Sequence, residues 1–198
     1  LDGGNGNDRL EAGSGDNFYY GTMLGGNGVD TLFGGNGNDS MLGGADSDFL
    51  WGGNNSDRMN GGGGVDVLQG NAGHDAMTGG DSTDIFVYNH DNYLNGPYAY
   101  GADSGKDRIF DFEGIDRLQL SFGGANGARG GAAVFGRLDT NHDGHVNGLD
   151  AFSDVVPNDA GGGTLDLVID IGAAGGGPAG VDTLRLVDWT SLDQINFA

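Results

Sequence analysis

GGNGVDTLF, GGNGNDSML and GGADSDFLW follow one another over residues 25–51, and their alignment decides the fold. The same nine-residue frame continues as GGNNSDRMN (52–60), GGGGVDVLQ (61–69), GNAGHDAMT (70–78) and GGDSTDIFV (79–87). Two earlier copies are GGNGNDRLE (3–11) and AGSGDNFYY (12–20), followed by GTML (21–24) as a four-residue insertion. Read by column the pattern is GGxGxDxUx, with U apolar. Column one is Gly in every copy but one, where Ala12 stands. Column six is Asp8, Asp30, Asp39, Asp48, Asp57, Asp66, Asp75 and Asp84, with Asn17 as the exception. Column eight is always apolar: Leu10, Tyr19, Leu32, Met41, Leu50, Met59, Leu68, Met77 and Phe86.

Each column answers a physical demand. Glycines permit positive φ and close backbone approach, so the first half of each copy is a turn. The second half is a strand of a few residues, whose alternate side chains face opposite sides, so the column-eight residue points inward. One apolar residue per copy cannot make a core alone, but stacked copies bury a continuous ladder. A nonapeptide of this form is the signature of calcium-binding parallel β-helices. With two copies per coil, copies two apart stack. Asp30, Asp48, Asp66 and Asp84 then line one side, and Asp39, Asp57 and Asp75 the other. Carboxylates at strand spacing, about 4.8 Å, repel unless a cation lies between them.

Composition agrees. The chain has 198 residues, 44 of them Gly, with 3 Pro, no Cys and a formal charge of −21. Glycine without a G-X-Y period and with almost no proline excludes collagen. Eight basic residues against 29 acidic ones cannot form a nucleic-acid-binding face. No apolar run approaches the 18 or so residues of a membrane-spanning helix. Only Glu11 and Glu113 are glutamates; every other acid is aspartate. That bias suits hard-cation sites, where a short side chain holds its oxygens close to the backbone.

On these residues the chain resembles the RTX (repeats-in-toxin) proteins, a family of secreted bacterial toxins, proteases, lipases, epimerases and adhesins. The resemblance implies an all-β fold, a right-handed parallel β-roll with Ca²⁺ in the turns, spanning residues 1–88. It also implies the ligand sets. One turn supplies the carbonyls of columns two and four and its column-six Asp. The stacked turn supplies the carbonyls of columns one and three and its own Asp. One site is then Gly26, Gly28 and Asp30 with Gly43, Ala45 and Asp48; the next is Gly35, Gly37 and Asp39 with Gly52, Asn54 and Asp57. The same rule pairs copies 43/61, 52/70 and 61/79. It brings in Gly61, Gly63 and Asp66, then Gly70, Ala72 and Asp75, then Gly79, Asp81 and Asp84. Asp8 belongs to an outlying copy, and the 21–24 insertion is expected to break stacking there. Column four is Asp46, Asn55 and Ser82 in three copies, and Ser82 is expected to mark the end of the roll.

Residues 89–198 are expected to form a β-rich cap. Residues 89–107 read as a polar loop. Strand features follow in KDRIFDFEGIDRLQLSF (106–122), TLDLVIDIG (164–172) and DTLRLVDW (182–189). These segments resemble the region after the repeats in serralysin-type proteases. Between them, DTNHDGHVNGLD (139–150) matches an EF-hand loop: Asp139, Asn141, Asp143, His145 by its carbonyl, Asn147, and Asp150 in place of the usual Glu. AAVFGRL (132–138) and AFSDVV (151–156) read as its entering and exiting helices. The ending Ile195, Asn196, Phe197 and Ala198 resembles a type I secretion tail. Leu1 and Asp2 fit columns eight and nine of a preceding copy, so the chain is expected to begin inside the array.

Enzyme motifs are missing: there is no H-E-x-x-H, no G-x-S-x-G, and GADSGKD (101–107) departs from a P-loop in spacing and in its last residue. His74 falls in a variable, solvent-facing column, and His90–Asp91 has no readable nucleophile. The sequence therefore reads as a calcium-binding module of a secreted, extracellular protein, folding outside the cell and exported by type I secretion machinery. Two alternatives stand beside it. The chain could be the non-catalytic end of a secreted metalloprotease, lipase, or polysaccharide epimerase or lyase. It could instead be an adhesin whose Tyr93, Tyr98 and Tyr100 meet a polysaccharide or cell-surface ligand.

Overall fold

The period predicts short parallel strands every nine residues, and the computed structural model contains them. It describes residues 1–14, 22–89, 106–111, 117–121, 153–157, 165–170 and 183–189. The repeat strands are β1 (Asp2–Asn5), β2 (Arg9–Ser14), β3 (Met23–Asn27), β4 (Thr31–Asn36), β5 (Ser40–Ala45), β6 (Phe49–Asn54), β7 (Arg58–Gly63), β8 (Val67–Ala72), β9 (Ala76–Asp81) and β10 (Ile85–Asn89). Beyond them come β11 (Lys106–Ile109), β12 (Arg117–Ser121), β13 (Ser153–Pro157), β14 (Leu165–Asp170) and β15 (Thr183–Trp189). The described residues are all β; none is helical.

Successive repeat strands β1–β10 alternate between two sheets and pair in parallel, because each glycine turn sends the chain to the opposite side. β13, β14 and β15 all lie in the first sheet, where β14 is antiparallel to both neighbours. One sheet runs β1-β3-β5-β7-β9-β11-β15-β14-β13, the other β12-β10-β8-β6-β4-β2. Residues 18 apart pair in register, as Leu32 with Leu50 and Met41 with Met59. Two ladders form the core. Met23, Met41, Met59, Met77 and Ile109 climb the first sheet; Leu10, Leu32, Leu50, Leu68, Phe86 and Leu118 climb the second. None is more than 7% exposed, so the column-eight position is the interior of every coil. The outward positions are free to differ. On the second sheet Phe33 and Trp51 stack at 4.9 Å, Phe49 lies 5.9 Å from Trp51, and the Arg9 guanidinium sits 4.3 Å over Phe33.

The turns are held to a narrow geometry. Columns two and four both lie at positive φ, from Gly26 (116°) and Gly28 (113°) to Gly62 (111°) and Gly64 (117°). Asp46, Asn55, Asn71 and Ser82 take the same backbone region without being glycine. At Gly44 there is also no room for a side chain: a Cβ there would lie inside contact distance of the Gly26 carbonyl oxygen in the coil below.

Several expectations change. The stacking does not break at residues 21–24. Met23, not Tyr19, holds the apolar position next to Met41, because Met23 and Leu24 precede Gly25 as Met41 and Leu42 precede Gly43. The additional residues therefore fall before Met23, and β1 still pairs with β3 and β2 with β4. Nor does the stacking end at Ser82, since β11 and β12 each add a strand to a sheet. The strand features of 106–122 resolve into two strands in opposite sheets. The exit helix at 151–156 is replaced by β13: β-branched Val155 and Val156 favour strand, and they pair antiparallel with Leu167 and Asp166 of β14. The loop at 139–150, the entering helix, the tyrosine cluster and the C-terminal tail lie outside the described residues.

Gly44→Ala should lower the stability of the calcium-loaded chain by more than about 2 kcal/mol, since the left-handed backbone alone costs about 1–2. Ser82→Gly should raise it by roughly 0.5–1 kcal/mol, by relieving the same cost where space is open. Urea unfolding checks both; an unchanged midpoint for Gly44→Ala would refute the close stacking of column two.

Candidate metal centre

Each repeat turn delivers its aspartate to the inner edge of a strand, and the coil above covers it. Asp30, Asp39, Asp48, Asp57, Asp66, Asp75 and Asp84 are all at most 1% exposed. They form two columns. In the first, the N–H of Asp8 donates to Oδ1 of Asp30 (2.8 Å), Asp30 to Asp48 (2.7 Å), Asp48 to Asp66 (2.7 Å) and Asp66 to Asp84 (2.9 Å). In the second, Asp39 donates to Asp57 (2.8 Å) and Asp57 to Asp75 (2.8 Å). The membership of both columns is as the period predicts, with Asp8 added to the first across a 22-residue step.

Oδ1 of Asp30, Asp48, Asp57, Asp66 and Asp75 is thus occupied. Oδ2 of Asp8, Asp30, Asp48, Asp57, Asp66 and Asp75 is buried and accepts no hydrogen bond. A buried ionised carboxylate without a partner is costly, and stacked like charges add to the cost. The titration behaviour reflects this. Burial pushes Asp48 up to about 7, with the neighbouring carboxylates of Asp66, Asp30 and Asp46 adding to it and the Asp30 N–H opposing. Burial pushes Asp57 up to about 8 and Asp75 up to about 7, and raises Asp66 as well.

The donors around these carboxylates suit calcium. The column-one carbonyl oxygen of one copy and the column-six Oδ2 of the copy beneath converge. Gly43 O and Asp30 Oδ2 both lie within 2.8 Å of the point a Cβ on Gly25 would fill. The same convergence occurs for Gly52 O with Asp39, Gly61 O with Asp48, Gly70 O with Asp57 and Gly79 O with Asp66. These are the stacking pairs 25/43, 34/52, 43/61, 52/70 and 61/79 expected from the period. Gly25 O with Asp8 adds another beneath them. Among the described residues no three acidic or imidazole side chains gather at one point, so carbonyls must supply much of any coordination shell. An all-oxygen set of carboxylates and carbonyls is the hard donor set that Ca²⁺ takes. Two expected carbonyls are partly engaged: Ala45 O accepts from the N–H of Gly28 (3.3 Å) and Asn54 O from that of Gly37 (3.2 Å). A carbonyl has two lone pairs, so this leaves one for an ion.

The structure adds residues that the period did not reveal. The N–H of Asp75 donates to Oδ1 of Asp107 (2.9 Å), which is 2% exposed and extends the second column. Asp111 accepts from the N–H groups of Gly79 (2.9 Å) and Gly80 (2.8 Å). The signal was present: in ADSGKDRIF (102–110), Gly105, Asp107 and Ile109 stand at columns four, six and eight. DFEGIDRLQ (111–119) repeats it with Gly114, Asp116 and Leu118. The glycines of columns one and two are missing from both, which hides them. Column five forms a second polar ladder: Asn7 and Asn38 accept from Val29 and Ser56 N–H, Ser47 from Val65, and exposed His74 through Nδ1 from Lys106.

Compared with known families, residues 1–23, 24–59 and 51–86 match the RTX calcium-binding nonapeptide repeat (4 copies). Comparison with curated proteins gave no match. The class defined by fold and site is therefore a calcium-binding β-roll. The repeat region of this chain is an RTX nonapeptide array, a structural calcium-binding module and not a catalytic one.

The raised carboxyl groups fix a direction for pH. A group raised in the folded state stabilises that state fully below its unfolded value, near 4, and the contribution is lost as pH rises through the folded value. For Asp48, Asp57 and Asp75 that loss completes across about pH 7–8. Metal-free chain should therefore show its strongest β signal by circular dichroism near pH 4–5 and lose it towards pH 8. A β signal flat over that range would remove protonation as a substitute for the cation.

Proposed function

We propose that this chain is a calcium-triggered folding module of an exported protein. The observation that carries the reading is the pair of aspartate columns in which Asp30, Asp48, Asp57, Asp66 and Asp75 each give Oδ1 to the N–H of the coil before and keep Oδ2 buried without a hydrogen bond. At neutral pH the roll is incomplete without cations, and with them each coil is joined to the next. The ions would lie between stacked turns. The ligands are Gly26, Gly28 and Asp30 with Gly43, Ala45 and Asp48, and Gly35, Gly37 and Asp39 with Gly52, Asn54 and Asp57. The 43/61, 52/70 and 61/79 pairs continue the series, and the 139–150 loop is a further site of EF-hand type.

Extracellular calcium modules bind with Kd of about 10⁻⁴–10⁻³ M, far above cytosolic calcium. Metal that binds the folded chain alone adds stability by mass action, about 1.4 kcal/mol per site at ten times Kd. Several sites sharing carboxylates make the response steep. The chain would stay expanded in the cytosol, pass type I secretion machinery unfolded, and fold outside the cell. The −21 charge supports this, since self-repulsion disfavours compaction until cations enter.

The test is calcium titration of EDTA-stripped chain at about pH 8, where the aspartates ionise, following circular dichroism and hydrodynamic radius together. A cooperative gain of β signal with contraction, unmatched by Mg²⁺, is expected. Asp57→Asn should shift the midpoint several-fold upward, because Asp57 serves two neighbouring coils. A chain already compact before calcium is added would overturn the switch.

A further inference from the structure

We infer that the outer face of the first sheet carries a groove that binds an acidic, carboxylate-bearing polysaccharide. The inference needs the roll to be folded but uses none of the calcium ligands.

In a chain with 29 acidic and 8 basic residues, this face is charged the other way. Columns seven and nine carry no acid from β5 to β11, and Arg58 and Arg108 stand in column seven. The acids of these coils lie in the turns and in the buried column six. Arg58 is exposed and forms no ion pair among the described residues, whereas Arg9 on the opposite sheet pairs with Glu11. Ala76 stands in register between Arg58 and Arg108, so a small side chain separates the two cationic rungs. Two strand spacings, about 10 Å, lie between those rungs. A groove of about 290 Å³ runs across the strands here, with Ser40, Leu42, Arg58, Asn60, Thr78 and Phe110 in its walls.

The lining selects the ligand. β5, β7 and β9 each pair on both sides, so their backbone groups are engaged and a peptide cannot add as a further strand. Recognition falls to side chains. Ser40 and Thr78 offer hydroxyls and Asn60 an amide, which suit the hydroxyls of a sugar. Phe110, 43% exposed, presents an aromatic surface, and Leu42, 38% exposed, adds apolar contact. Side chains recur along the groove at each rung, about 4.8 Å, close to the advance of one pyranose in an extended chain. The positive charge is sparse: two arginines among several neutral donors. A glycan with a carboxylate among many hydroxyls matches that ratio. A nucleic acid or a densely sulfated chain needs a more cationic face. Charges elsewhere on the molecule are screened beyond about 10 Å at moderate salt, so the local arginines decide what binds.

Microcalorimetry on the full chain, folded in calcium as judged by circular dichroism, tests this with a short oligogalacturonate, calcium being kept in excess of the sugar. Binding is expected, and it should weaken as salt rises. Arg58→Gln should weaken it roughly fivefold or more. Ala76→Glu, which sets a negative charge between the two arginine rungs, should abolish it. Both variants should keep the β signal, because columns seven and nine face outward. Arg9→Gln, on the opposite sheet, should leave the affinity unchanged. Absence of binding, or an unchanged affinity in Arg58→Gln, would overturn the site. An equal loss in Arg9→Gln would reduce it to general charge attraction. A neutral cello-oligosaccharide bound as tightly would overturn the anionic class, and an oligoglutamate bound as tightly would overturn the glycan.

Discussion

Every coil of this roll places a carboxylate where water cannot reach it, and the hydrogen bonding there is arranged so that the carboxylate is half satisfied. Oδ1 accepts the N–H of the aspartate one coil earlier, while Oδ2 of Asp30, Asp48, Asp57, Asp66 and Asp75 is left buried. The protein alone cannot resolve this at neutral pH. A proton resolves it at the loss of charge, which is why burial raises Asp57 to about 8. A divalent cation resolves it while keeping the charge, and serves two stacked aspartates at once. The apolar ladder is too thin to compensate: one Leu or Met per nonapeptide buries far less than a globular core of equal length. On the function proposed above, calcium is a structural component of the fold alongside the Leu and Met ladders.

That dependence explains the rigidity of the turns against the freedom of the outer faces. Column one brings a carbonyl oxygen close to a carboxylate, and a Cβ on Gly25 would fill that space, while a Cβ on Gly44 in column two would meet the Gly26 backbone of the coil below. Columns seven and nine face outward and carry no such demand. They hold Phe33, Phe49 and Trp51 on one sheet and Ser40, Arg58 and Asn60 on the other.

The array was legible in the sequence because each column states a local requirement: glycine for positive φ, an apolar residue for the interior, aspartate for the ion. Both aspartate columns and all five stacking pairs follow from nine-residue counting alone. Interruptions were not legible, because stacking pairs residues by space and not by count. The free-energy cost of closing a longer loop grows slowly with length, so extra residues before Met23 or between Tyr88 and Lys106 leave the stack intact. Counting through the first interruption put Tyr19 where Met23 stands. Counting stopped at the second, and so missed Asp107. The strand at Ser153–Pro157 escaped for another reason: its neighbours suggested an EF-hand exit helix, and pairing with β14 decided otherwise.

The hydrogen bonds of the aspartate columns all run one way. The N–H of Asp30 donates to Asp48 in the next coil, and the carbonyl of Asp30 accepts from Phe49, also in the next coil. The same holds for Asp39 with Asp57 and Arg58, and for Asp57 with Asp75 and Ala76. Each aspartate's main chain is therefore completed by the coil after it, never by the coil before it. At the low-numbered end a coil can be removed without orphaning any aspartate backbone group. At the high-numbered end, removing a coil exposes both the N–H and the carbonyl of the aspartate before it. Asp107 and Arg108 supply those partners for Asp75. The stack is thus directional, and its integrity is decided where the repeats give way to β11.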